Sequence, residues 1–77
     1  MATVHRENGF TFRIWPNDHS PAHVHAWKAG AKVVIDLQPV AVREIEREMK
    51  AQDVVQAVKI VQANRAKMLK KWREMHD

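Results

Sequence analysis

Three histidines crowd into one short segment, His19-x3-His23-x-His25, with Asp18 immediately before the first of them. Imidazole titrates nearest neutral pH of all side chains, so such rings can take a proton from, or return one to, a phosphodiester at physiological pH. The same neutral rings, joined by a carboxylate, can bind a transition metal. Cysteine is absent, which excludes disulfides, thiolate zinc sites, iron–sulfur clusters and a cysteine nucleophile together. Three histidines without a thiolate or an assured outer hydrogen-bonding shell make a weak metal site, so the expectation is no metal and no cofactor. His19, His23 and His25, with Arg13, are then the catalytic candidates for metal-independent cleavage of a phosphodiester. The structural alternative is that the histidines only hydrogen-bond the proline-containing loop around them. Other catalytic signatures are missing: there is no glycine-rich phosphate loop with a lysine, no G-x-S-x-G elbow and no pair of loop carboxylates.

The elements that must carry these residues follow from two periodicities. Thr3–Glu7 and Phe10–Trp15 flank Asn8-Gly9, the dipeptide best suited to a two-residue hairpin turn. Phe10, Phe12 and Ile14 then point one way and Thr11, Arg13 and Trp15 the other, because side chains alternate along a strand. Pro16 to Pro21 cannot continue a ladder and reads as a loop. A third strand spans Ala22–Lys28, with Val24 and Ala26 on one side and His23, His25 and Trp27 on the other. A fourth spans Lys32–Leu37, with Val33, Ile35 and Leu37 inward, and Gln38-Pro39 ends it. Residues 42–49 fit either a helix or a strand, and β-branched Val40 and Val42 favour a short fifth strand. From Asp53, the residues Val54, Val58, Val61, Arg65, Met68, Trp72 and Met75 recur at spacings of four and three, which predicts one long helix to about His76.

A chain of 77 residues supports one domain, 1–77, with the sheet over about 3–48 and the helix over about 52–76. The predicted class is α+β, an antiparallel sheet of four to five strands packed on one face by the long C-terminal helix. One helix covers one face, and the face bearing Phe10, Phe12, Ile14, Val24, Val33, Ile35 and Leu37 should take it. The opposite face, with Arg13, Trp15, His23, His25, Trp27, Lys32, Val34 and Asp36, is left open as an interaction surface.

Thirteen Lys and Arg against nine Asp and Glu give a net charge of +4 and a pI near 9.9. The excess lies in the second half, where Arg65, Lys67, Lys70, Lys71 and Arg73 follow one another without an intervening acid. Such a local positive field attracts polyanions or an acidic protein. Trp15, Trp27, Lys28 and those five helix cations are therefore the candidates for binding nucleic acid or a protein partner. No apolar run approaches the ~18 residues of a membrane span, and Met1–Phe10 lacks the pattern of a signal peptide, so a cytoplasmic protein with no membrane partner is expected.

Residues 3–10, the segment Asn17-Asp18-His19-Ser20-Pro21-Ala22-His23-Val24-His25, and Ala57 to Asn64 followed by Leu69-Lys70-Lys71-Trp72 together resemble the small bacterial proteins grouped as domain of unknown function four-one-six-zero. The family's N-D-H-x-P-P-H-x-H pattern is met except at Ala22, which stands where the second proline usually falls. The resemblance implies a protein partner, because members often lie beside a small protein of unknown-function family two-four-four-two in what look like type II toxin–antitoxin modules. By the same resemblance this chain is expected to be the basic toxin half, acting on RNA, with a homo-oligomer allowed. The alternative is a non-catalytic regulator that binds nucleic acid or protein by charge and aromatic stacking.

Overall fold

The computed structural model describes residues 2–46 and 48–76; Met1, Arg47 and Asp77 lie outside it. The chain runs β1 (Ala2–Glu7), β2 (Phe10–Ile14), β3 (His23–Lys28), β4 (Ala31–Leu37), β5 (Val40–Glu46), α1 (Ala51–Ala63) and α2 (Arg65–His76). The strands form one antiparallel meander in sequence order. Residues 40–46 are thus a full fifth strand, as their β-branched residues suggested. Asn8 and Gly9 hold φ values of 51° and 81°, the paired left-handed geometry of a type I′ hairpin turn that glycine accepts at no steric cost.

Strand alternation sends the expected residues inward. Phe10, Phe12, Ile14, Val24, Val33, Ile35 and Leu37 are almost wholly buried, and they form one core with Ala57, Ile60 and Val61 of α1 and Met68, Leu69 and Trp72 of α2. Burial of this apolar surface, at roughly 25 cal/mol per Å², is the main force holding helices to sheet.

The single long helix predicted over 52–76 is corrected to two. Asn64 closes α1 with φ −117° and ψ 17°. Its backbone N–H reaches the carbonyls of Ile60 and Val61, and its side-chain Nδ2 donates to Ile60 O at 2.8 Å. A short amide that bonds its own backbone competes with helical continuation. Next to it, Arg65 donates Nε–H to the carbonyl of Leu37 at 2.8 Å. That contact explains a charged residue on an otherwise apolar stripe: the guanidinium satisfies the carbonyl at the end of β4 while its head stays exposed. The stripe also lies slightly off the expected positions, with Ala57, Ile60, Val61, Met68, Leu69 and Trp72 deepest and Val54, Val58 and Met75 only partly buried.

Candidate functional site

The loop after β2 builds one side of the site from local chemistry. Trp15 accepts the Asp18 N–H at its carbonyl (3.1 Å), closing a turn with Pro16 at the position where proline's fixed φ is favoured. The Asp18 carboxylate folds back and accepts the Trp15 N–H on Oδ2 at 3.0 Å. Turn and side chain lock each other, which aims the carboxylate at the start of β3.

Strand β3 brings the imidazoles. His25 Nε2 lies 3.2 Å from Asp18 Oδ2 and 3.4 Å from Oδ1, and His23 Nε2 lies 3.5 Å from Oδ2. One donor atom from each of Asp18, His23 and His25 falls within 4.8 Å of the others. The His23 side chain is 6% exposed, His25 12% and Asp18 15%. Because Pro21 O can only accept, its 2.9 Å contact with His23 Nδ1 assigns the proton to that nitrogen. The Pro21 carbonyl also receives Arg43 Nη2 at 3.2 Å, and Arg43 in turn pairs with Asp36 at 2.6 Å, so β5 and β4 brace the loop. Trp72 of α2 closes the far side, its ring 5.1 Å from His23 and stacked at 3.8 Å on His76.

Along the open face, His25 stands opposite Arg13 and Trp27 opposite Lys32. Arg13 and Lys32 both lie over the Trp27 ring, at 5.9 and 5.1 Å from its centroid. Lys32 is paired with Glu46 at 2.7 Å, whereas Arg13 has no carboxylate partner among the described residues. Arg13 Nε, Trp27 Nε1 and His25 Nδ1 are buried without a hydrogen-bond partner among those residues.

The sequence candidates therefore separate. His25, Arg13, Trp15 and Trp27 gather on this face, with Trp15 edge-on to His25 at 6.2 Å, whereas His23, expected on the same open surface, is buried at its end against Trp72 of α2. His19 is exposed and outside the cluster. Lys28 does not join the face either: its Nζ lies 4.9 Å from the Phe10 ring centroid and pairs with Asp53 of α1 at 3.4 Å, because it shares the inward register of Val24 and Ala26. On the helix, Arg65 is spent on Leu37, Lys67 donates to His5 Nδ1 at 2.9 Å, and Lys71 pairs with Glu74 at 3.6 Å. Only Lys70 and Arg73 of the basic run lack a side-chain partner among the described residues. Sequence reasoning set Asp18 beside the histidines as a possible metal ligand but not among the catalytic or binding residues, and it missed Arg43 altogether. The W-P-N-D turn was a usable signal for the first; the second comes from a strand whose register no local pattern reveals.

Burial favours the neutral imidazole and pushes His25 below the ordinary value of 6.5; the Asp18 charge and hydrogen bond oppose this, and His23 and Lys32 add to it. Burial also works against the Asp18 carboxylate, but the Trp15 N–H and the His25 and His23 rings outweigh it and hold the carboxyl below its usual range. In both cases the unfolded chain takes a proton that the folded chain refuses. Stability of the metal-free protein should therefore be full above about pH 6.5, fall as pH drops below that value through His25, and fall again in the carboxylate range through Asp18. Denaturant midpoints in a chelator, measured from pH 7.5 to 4, check this; a midpoint that rose below pH 6.5 would contradict it.

The fold and site define a small α+β domain, an antiparallel meander backed by two helices with a carboxylate–imidazole cluster at one end of its open face. The chain belongs to the family described as Domain of unknown function (DUF4160), whose pattern matches residues 9–73 and so includes Arg13, Asp18, His23, His25 and Trp72. No curated protein and no solved structure gave a match. Among the described residues, no helix is long and apolar enough to cross a membrane.

Proposed function

We propose that this chain is the effector half of a two-protein toxin–antitoxin module in the cytoplasm and that it acts on RNA through the open sheet face. The observation that carries the reading is the Arg13 guanidinium, without a carboxylate partner among the described residues, beside Lys32 on Trp27 and opposite His25, which sets a group suited to phosphate next to the imidazole cluster. Lys70 and Arg73, three apart on α2, share one side of that helix and offer a second contact for RNA or for the acidic surface of a partner such as the family two-four-four-two protein.

A second reading, a binder that does not cleave, is favoured by one feature. Both Nε2 atoms turn toward Asp18, while His23 Nδ1 is engaged and His25 Nδ1 is buried, so neither ring presents a free nitrogen to a substrate. Incubation of the purified chain with labelled single-stranded RNA decides between them. Arg13→Gln should weaken retention about tenfold and reduce the salt slope by about 0.7. Cleavage that disappears in His25→Ala supports the effector, and retention without cleavage supports the binder. RNA neither retained nor cut by the parent chain at low salt would end both readings.

A further inference from the structure

We infer that Asp18, His23 and His25 form a binding site for one divalent transition metal of the zinc type. The first donor is His23. Its Nδ1 donates to Pro21 O at 2.9 Å, which leaves Nε2 as the ring atom facing Asp18 Oδ2, at 3.5 Å. An imidazole anchored through Nδ1 presents Nε2 as a metal donor, here beside a carboxylate oxygen in a site where the His23 side chain is only 6% exposed. His25 Nε2 converges on the same oxygen from 3.2 Å.

The spacing suits a metal. With metal–nitrogen and metal–oxygen distances of about 2.0–2.2 Å, neighbouring donors of a tetrahedral centre lie about 3.3–3.5 Å apart. The two contacts to Asp18 Oδ2, 3.2 and 3.5 Å, match that spacing, and donor atoms of all three residues lie within 4.8 Å of one another. Two imidazoles and one carboxylate leave a fourth position for water or a ligand, the donor set of open zinc sites and of ferrous centres.

An outer shell is also in place, which the bare spacing of histidines in the chain did not reveal. Pro21 O orients His23, the Trp15 N–H orients Asp18, and Arg43 steadies Pro21 through Asp36. Such partners fix ring tautomers and commonly change metal affinity by about 10–100-fold. His19, the histidine nearest in sequence to Asp18, takes no part. The site stands whether or not the chain acts on RNA.

The test uses the untagged full chain, stripped with chelator and titrated with Zn2+ by calorimetry and with Co2+ by visible absorption. The expected result is one metal per chain, with Co2+ bands displaced by Zn2+ and a higher melting temperature in Zn2+. Asp18→Asn and His25→Gln should each weaken binding at least tenfold, while His19→Ala leaves it unchanged. Circular dichroism confirms that each variant is folded; His23→Ala is avoided as the deciding variant because the ring packs on Trp72. No uptake at a one-to-one ratio by the folded parent overturns the site. So does uptake that survives Asp18→Asn and His25→Gln, or that is lost in His19→Ala.

Discussion

Truncating Phe12 to alanine is expected to lower the thermal midpoint by roughly 12–40 °C. Phe12 is fully buried between strand neighbours, with its ring 5.8 Å from Phe10 and 5.8 Å from His5. A buried phenylalanine replaced by alanine typically costs about 3–5 kcal/mol in lost transfer energy and residual cavity. In domains of this size each kcal/mol moves the midpoint by about 4–8 °C. A 77-residue chain at roughly 0.05–0.15 kcal/mol per residue has only about 4–12 kcal/mol in all. A loss of about 3–5 kcal/mol is therefore a large share of the whole, and for a total at the low end it leaves the variant largely unfolded near room temperature. Val55→Ala, which truncates a side chain that is 54% exposed, is the matched control and should change stability by less than about 0.5 kcal/mol. Equal midpoints for the two variants would refute the placement of the core.

The second large effect is expected at Asp18. Asp18→Ala removes the acceptor of the Trp15 N–H and the group on which both imidazoles converge. Leaving such partners unsatisfied costs about 1–3 kcal/mol for a buried group, and the turn over residues 15–18 loses its lock as well. The metal-free variant should lose about 2–3 kcal/mol at pH 7.5, measured by denaturant unfolding. Asp18→Asn keeps one carbonyl oxygen for the Trp15 N–H and should recover part of that loss. Both variants should also lack the fall in stability that the parent shows in the carboxylate range. A full-strength Asp18→Ala protein, or an Asn variant no better than Ala, would show that the carboxylate does not organise this loop.

The open face was partly legible because alternation is a property of the backbone. Once Phe10, Phe12 and Ile14 are assigned inward, Arg13 must stand on the other side, and the same rule puts His23 with His25 and away from Val24. That rule also required Lys28 to share the inward register. Its grouping with the face residues rested on charge alone, whereas Asp53, 25 residues away in the chain, is what receives it. The basic helix illustrates the same limit: five uninterrupted cations look like one surface, but Leu37, His5 and Glu74 engage three of them.

Whatever repeats over a few residues was readable along the chain: four strands and a favoured fifth, the inward faces of the second, third and fourth, the Asn8-Gly9 turn, and a helical C-terminal third. These depend on local steric preferences and on periods of two and 3.6, which do not need to know what lies across the molecule. Tertiary structure alone decided the break at Asn64 and the assembly of the cluster. A three-and-four spacing runs equally well through a straight or an interrupted helix, so the choice fell to Asn64's own backbone bond and to a β4 carbonyl 28 residues from Arg65. Asp18 meets His25 only because the turn at Trp15 folds its carboxylate over β3, and Arg43 steadies Pro21 from 22 residues away because sheet register places β5 beside β4. Contacts of that kind follow from loop closure and register, which no local pattern encodes.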